Sequence, residues 1–114
     1  MNIAVTFRHM NATEAVKAYA TEKVARMQRF LRAPMKVQVT LSCQQDRLHR
    51  VEVEIHSGSA HFHAHETSED MYASIDKVID KIERQILSAK EAVTARKKGA
   101  ERASSRLLPD IGEE

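Results

Sequence analysis

The sequence has few of the residues that mark secreted, membrane or disulfide-stabilised proteins. It contains one cysteine, no tryptophan and only five aromatic residues, two Tyr and three Phe, among its 114 residues. A single cysteine excludes an intramolecular disulfide and favours a reducing compartment. No apolar run approaches the roughly 20 residues that cross a bilayer, and the N-terminal residues alternate in polarity, unlike a signal peptide. We therefore expect a cytoplasmic protein with an aliphatic core and no membrane partner.

The motifs of the common enzyme classes are also missing. With three glycines in the whole chain, there is no glycine-rich loop to cradle a phosphate. Glu52 and Glu54 share the polar face of one predicted strand, without a cleft around them. Cys43 falls in the apolar phase of another strand, which favours a buried thiol over a nucleophile. We predict no enzymatic activity, no catalytic residue, no cofactor and no small-molecule substrate.

Charge is distributed unevenly around a formal net charge of +2. Residues 1–89 hold 12 Lys/Arg and 11 Asp/Glu, residues 90–106 hold six Lys/Arg and two Glu, and residues 107–114 hold three acids. A basic segment thus precedes an acidic end. The polar composition at the end cannot bury enough apolar surface to offset the entropy of ordering. We predict one domain over residues 1–95 and a charged tail, 96–114, that is disordered when free.

Four segments alternate apolar and polar side chains, which is typical of strands with one buried face. They cover residues 3–8, 37–43, 51–56 and 60–65. The Ser57-Gly58-Ser59 sequence predicts a tight turn between the last two.

Two further segments repeat apolar residues at helical spacing. The first covers residues 16–31, and Pro34 disfavours helical geometry in the residue before it, so we expect this helix to end near Arg32. The second carries an apolar stripe over residues 71–86, and Ser68 is a suitable N-cap for it.

The resulting order, β-α-β-β-β-α, predicts an α+β fold. Because each element has one apolar face, a four-stranded mixed sheet with both helices packed on one face is the economical arrangement. The first two strands should be parallel through a right-handed crossover, and the remaining pairs should be hairpins. This arrangement resembles a double-stranded-RNA-binding domain with an extra first strand.

Six basic side chains form two rows along the predicted helices. The row on the first helix is Lys23, Arg26 and Arg29, and the row on the second is Lys77, Lys81 and Arg84. Three acidic residues occupy a separate stripe of the second helix, at 100° per residue. If the helices lie side by side, both rows could face the phosphates of an RNA. Ordinary solvated faces with intrahelical ion pairs are the alternative.

Three histidines, His61, His63 and His65, alternate along the fourth strand. Neighbours on one face of a strand lie about 7 Å apart, so three in a straight row converge poorly on one ion, although His56 of the neighbouring strand could join. We predict no metal site and an unchanged melting temperature on addition of zinc. The row is expected to face solvent or RNA and to be partly protonated below pH ~6.5.

Two segments of the second helix closely resemble the last helix of the bacterial ribosome hibernation promoting factor and ribosome-associated inhibitor A family. They are residues 69–76, EDMYASID, and residues 81–86, KIERQI. The first helix is similar through its start, TEAV at residues 13–16, and through its basic row followed by Phe30. The resemblance covers residues 1–95 in the same order of elements.

This resemblance implies a stress-response and stationary-phase factor that binds the small ribosomal subunit and inhibits translation. It would occupy the path of mRNA and tRNA near the decoding region. The implied partners are the small subunit, its rRNA and the intact ribosome, and we expect the free protein to be a monomer. A generic RNA-binding or protein-interaction domain of the same fold is the alternative.

The family's basic helix residues contact rRNA, and the resemblance carries that role to matching positions of this chain. These positions are Lys23, Arg26, Arg29, Lys81 and Arg84, and helical geometry adds Lys77. Met71 and Tyr72 match the family motif as well, but we expect both to pack chiefly in the core.

Overall fold

The protein is described by a computed structural model over residues 1–44 and 47–99, with the side chains of residues 91–99 excepted. The order of elements is β-α-β-β-β-α, as predicted. The strands are β1 (Asn2–Arg8), β2 (Met35–Gln44), β3 (Leu48–Ser57) and β4 (Ala60–Ser68). The helices are α1 (Glu14–Ala25), a following 3₁₀ helix (Arg26–Phe30) and α2 (Met71–Gly99). No helix in the described ranges is long and apolar enough to cross a membrane.

The four strands form one mixed sheet in the order β1-β2-β3-β4. β1 and β2 are parallel, whereas β2–β3 and β3–β4 are antiparallel, which confirms the predicted strand pairing. The register aligns Val5, Val39, Val53 and Ala64 in one line across the sheet. Residues aligned across neighbouring strands project from the same face of the sheet. Because these four are all apolar, the alternation predicted from the sequence gives the sheet a single apolar face.

Both helices cover that apolar face. α2 packs against β3 and β4, while α1 contacts β1 and α2. Leu41 and Ile55 from the sheet and Ile82 from α2 have no exposed surface, and each buried side chain of this size contributes about 1.5–3 kcal/mol. The opposite face of the sheet, here called the open face, carries the polar side chains of the strands. Cys43, which we expected to be buried, is only half-buried near the end of β2.

The first helix does not continue in α-helical form to Arg32 as expected. It is α-helical to Ala25 and then tightens into the 3₁₀ helix. The side chain of Gln28 anchors the segment that follows the 3₁₀ helix, since its Nε2 donates to the carbonyls of Leu31 and Ala33. Its Oε1 accepts from the backbone N–H of Met35 at 2.9 Å, which ties the end of the helix to the start of β2.

The second helix is capped by Asp70 and not by Ser68. Asp70 precedes the first helical residue, and its Oδ1 accepts from the backbone N–H of Tyr72 at 3.1 Å. A carboxylate at this position also interacts favourably with the positive end of the helix. Ser68 is the last residue of β4, and its hydroxyl donates to the carbonyl of Asp70.

α2 reaches Gly99 and therefore extends past residue 95, where we placed the domain boundary. The remainder of the predicted tail, residues 100–114, lies outside the described residues.

The side chain of Gln85 in α2 pairs with the free edge of β4. Its Oε1 accepts from the backbone N–H of His63 at 3.3 Å, and its Nε2 donates to the carbonyl of the same residue at 2.8 Å. The amide thus takes the place of a neighbouring strand. Covering an edge in this way blocks pairing with another chain.

We expect Gln85→Ala to destabilise the protein by roughly 1 kcal/mol, because two backbone hydrogen bonds are replaced by bonds to water. Urea unfolding measures the free energy, and hydrogen exchange at the His63 amide should accelerate. Ser88→Ala, at an exposed position of the same helix, is the control. Unchanged exchange at His63 in Gln85→Ala would contradict the edge pairing.

Candidate nucleic-acid interface

The basic row of the first helix spans two kinds of helix. Lys23 lies in the last turn of α1, whereas Arg26 and Arg29 lie in the 3₁₀ helix, whose three residues per turn place them one above the other. Arg26 pairs with Glu22 at 3.3 Å, and the Arg29 guanidinium lies 4.8 Å from the centre of the Phe30 ring. Both arginines are exposed, so their guanidinium groups are accessible to an anion.

The basic row of α2 is exposed along its whole length. The Nζ atom of Lys81 lies 2.7 Å from a Glu66 carboxylate oxygen and donates to the carbonyl of His65 at 3.3 Å. Arg84 pairs with Asp80 at 2.8 Å. Lys77 has no carboxylate oxygen within salt-bridge distance in the part of the chain that the structure describes. The Lys81 ammonium holds the pKa of the Glu66 carboxyl below its usual range, chiefly through their hydrogen bond.

An acidic stripe separates the two basic rows. The hydroxyl of Tyr19 in α1 donates to Oδ1 of Asp76 at 2.7 Å, and Lys23 lies 3.9 Å from the same oxygen. Asp76 and its neighbour Asp80 therefore lie on the side of α2 nearest to α1, and Lys77 lies 100° further around the helix. The structure brings each predicted row together internally, and the Asp76 carboxylate lies between Lys23 of the first row and its own neighbour Lys77 of the second. The hydrogen bond to Asp76 also raises the pKa of Tyr19.

The two motif residues at the start of α2 behave differently. Met71 is buried, as expected, whereas Tyr72 is 40% exposed, so the expectation that it packs in the core is wrong. Tyr72 lies four residues before Asp76, on the same side of α2, and therefore points towards α1. Its ring meets that of Tyr19 edge-on, with centroids 4.9 Å apart. An exposed aromatic ring is suited to stacking on a nucleic-acid base.

A shallow groove joins the α2 row to the edge of β4. It is lined by His63, Ala64, His65, Lys81, Arg84 and Gln85. Ammonium, guanidinium and imidazolium groups are the donors that bind phosphate oxygens most strongly. Sequence reasoning missed this groove, because the histidine row and the α2 row are brought together only by the packing of α2 against β4.

Two glutamates of β3 bind histidines of β4 across the open face. His63 Nε2 lies 2.6 Å from Glu52, and His61 Nε2 lies 2.9 Å from Glu54. These hydrogen bonds are the main reason why the pKa values of both glutamates lie below their ordinary value of 4.5. The sequence predicted the row of histidines on one face but not their carboxylate partners.

The lowered pKa of Glu52 gives stability a defined dependence on pH. A carboxyl whose folded-state pKa is depressed stabilises the fold above its unfolded-state pKa, and this contribution is lost as pH falls through the folded value. We therefore expect the loss below about pH 4.5. Carboxyl NMR titration should show that His63→Gln returns the Glu52 midpoint towards the ordinary range. An unaltered midpoint would contradict the pairing.

The comparison with known proteins identifies the family. The family model described as "Sigma 54 modulation protein / S30EA ribosomal protein" matches residues 3–94. The chain belongs to this family. The resemblance found in the two segments of α2 is thereby confirmed.

Two relatives named for ribosome hibernation match over nearly their whole length. The "Ribosome hibernation promoting factor" of Azotobacter vinelandii is 30% identical over 105 residues, covering 92% of this chain and 97% of the relative. The protein of the same name from Escherichia coli (strain K12) is 30% identical over 91 residues, covering 80% and 95%. The crystal structure of the Thermus thermophilus Protein Y N-terminal domain superimposes with a TM-score of 0.70 and 29% identity, covering 75% of this chain and 96% of that domain. The fold predicted from the sequence is confirmed.

Proposed function

We propose that this protein is a ribosome hibernation factor that binds the small subunit in the mRNA and tRNA path near the decoding region. It would inhibit translation by occupying that path. Membership of a family whose relatives are named for ribosome hibernation carries the proposal. The ribosome as partner implies that the protein acts in the cytoplasm, and we propose that it arrives there as a monomer.

The two basic rows support an RNA target. Lys and Arg neutralise phosphates and release counterions, which is the main source of affinity in such interfaces. An RNA strand laid across both rows would pass over Asp76 and Asp80, whose charge repels phosphate. We therefore propose that the α1 row and the α2 row contact separate segments of rRNA. This arrangement favours a folded RNA surface over a single uniform duplex.

The ion pairs within the rows do not block this role. Lys81–Glu66 and Arg84–Asp80 are solvent-accessible pairs, and such pairs contribute only about 0–1 kcal/mol to stability. A phosphate oxygen can replace either carboxylate at little cost. The groove between α2 and β4 places both cations along the exposed edge of β4, where Lys81 meets the carbonyl of His65.

The test is sucrose-gradient sedimentation of the protein with purified small subunits, alone and after loading with mRNA and tRNA. We expect co-sedimentation with the empty subunit, strong reduction by mRNA and tRNA, and inhibition of translation in a reconstituted reaction. Simultaneous binding of the protein and both RNAs would contradict the proposed site. Preference for free duplex RNA over the subunit would favour a generic RNA-binding domain.

A further inference from the structure

Three metal-ligating side chains converge on the open face near the β3–β4 turn. They are Glu54, His56 and His61, and one ligand atom from each lies within 4.8 Å of the other two. Oε2 of Glu54 lies 2.9 Å from Nε2 of His61 and 3.6 Å from Nε2 of His56. None of these residues belongs to the basic rows.

The backbone fixes this arrangement. Glu54 and His56 alternate on β3 and so project from the same face, and His56 lies directly opposite His61 in the β3–β4 ladder. A two-residue turn sets that register. Its Gly58 has a φ of 62°, a backbone angle that residues other than glycine rarely adopt. The three side chains therefore start from positions that cannot slip relative to each other.

The distances suit a tetrahedral metal ion. Bonds of about 2.0–2.2 Å to nitrogen and oxygen place tetrahedral ligand atoms roughly 3.3–3.6 Å apart, close to the separations around Glu54. The rings of His56 and His61 are stacked, with centroids 4.3 Å apart and planes 16° from parallel. Because both rings are exposed, side-chain rotations that tilt them out of the stack can direct both Nε2 atoms at one ion.

The chemistry of the ligands selects the ion. Two imidazoles and one carboxylate suit zinc and its neighbours in the first transition row, whereas calcium and magnesium require sets built from oxygen. Lys36 lies opposite His56 on β2, and its ammonium opposes a cation at this place, so we expect binding of moderate strength.

We propose that Glu54, His56 and His61 form a zinc site on the open face, with one coordination position left for water or an external donor. This set differs from the straight row of His61, His63 and His65, for which the argument against convergence on one ion still holds. His63 instead binds Glu52. The site lies on the face opposite the helices and stands independently of the proposed function.

The test is calorimetric titration of the untagged full chain with zinc, with the histidine ring signals followed by NMR. We expect stoichiometric, saturable binding that shifts the signals of His56 and His61, and a melting temperature that rises with zinc. Replacing a side chain that only supports a metal ligand lowers metal affinity about 10–100-fold. His56→Gln, His61→Gln and Glu54→Gln, which remove direct ligands, should each lower it at least that much. His65→Gln, on the same face of β4, should bind zinc as the wild type does.

Three outcomes would overturn the site. The first is an unchanged melting temperature with no saturable heat, as the sequence alone predicts. The second is wild-type affinity in His61→Gln. The third is an equal loss in His65→Gln, which would assign the ion to other histidines. Because the variants alter exposed histidines and the half-buried Glu54, none of them in the hydrophobic core, circular dichroism should show them folded, and each outcome is then decisive.

Discussion

Replacing Lys77 and Arg84 together with glutamate should weaken binding to the small ribosomal subunit by at least on the order of 100-fold. Hydrogen bonds to charged groups contribute about 1.5–3 kcal/mol each, and about 1.4 kcal/mol corresponds to a tenfold change in affinity. If Lys77 and Arg84 each contact a phosphate, as proposed, the loss of both contacts accounts for roughly this factor, and the two new carboxylates add repulsion. Sedimentation and equilibrium binding to purified subunits measure the effect.

The choice of Lys77 and Arg84 keeps binding separate from folding. Both side chains are exposed, and the only ion pair lost among the described residues is the accessible one between Arg84 and Asp80. Lys81 belongs to the same row but also bonds to the carbonyl of His65 and to Glu66. Its replacement would disturb the edge of β4, so a loss of binding could not be separated from a loss of stability.

The control for this pair is Arg8→Glu with Lys36→Glu. It makes the same change in net charge, but both side chains are exposed on strands and belong to the open face. We expect near wild-type binding from the control. The helix variant should also flatten the salt dependence, since each phosphate contact contributes about 0.7–0.9 to the slope of log K against log salt. Equal losses in both variants would mean that net charge, and not the α2 row, governs binding.

The fold could be predicted from the sequence because its signals are local and mutually consistent. Alternation defines each strand, helical spacing defines each helix, and the connections determine which strands are parallel. The errors lie where distant residues decide a local structure. The end of the first helix is tied to the start of β2 by the bond between Gln28 and Met35, seven residues away. The predicted cap, Ser68, precedes the observed cap, Asp70, by only two residues, and only their hydrogen bonds distinguish them.

The candidate site was predictable only in part for a related physical reason. Helical geometry gives the position of each basic residue around its own helix, so both rows were found. The rotation of α2 against α1 depends on contacts such as Tyr19 with Asp76, which are 57 residues apart. That rotation places acids between the rows. In the same way, the exact register of β3 against β4 decides that His56 meets His61, and alternation alone leaves that register open.

Truncating Ile82 to alanine should lower the free energy of unfolding by about 2–5 kcal/mol. Ile82 lies in α2, has no exposed surface and belongs to the hydrophobic core between α2 and the sheet. The loss combines the transfer free energy of the deleted groups with the cavity that they leave. Domains of this size are stable by about 5–15 kcal/mol, so this single change removes a large share. Urea unfolding should show a lower midpoint with an unchanged slope.

The matched control, Leu87→Ala, also tests the orientation of α2. Leu87 is 38% exposed on the same helix, so its truncation should cost less than about 1 kcal/mol. Ile82 lies about 140° around the helix from Lys77 at 100° per residue. If Ile82 faces the core, the basic row must therefore face away from it. Equal losses in the two variants would contradict this rotation, and with it the placement of Lys77 and Arg84 on the proposed RNA-binding surface.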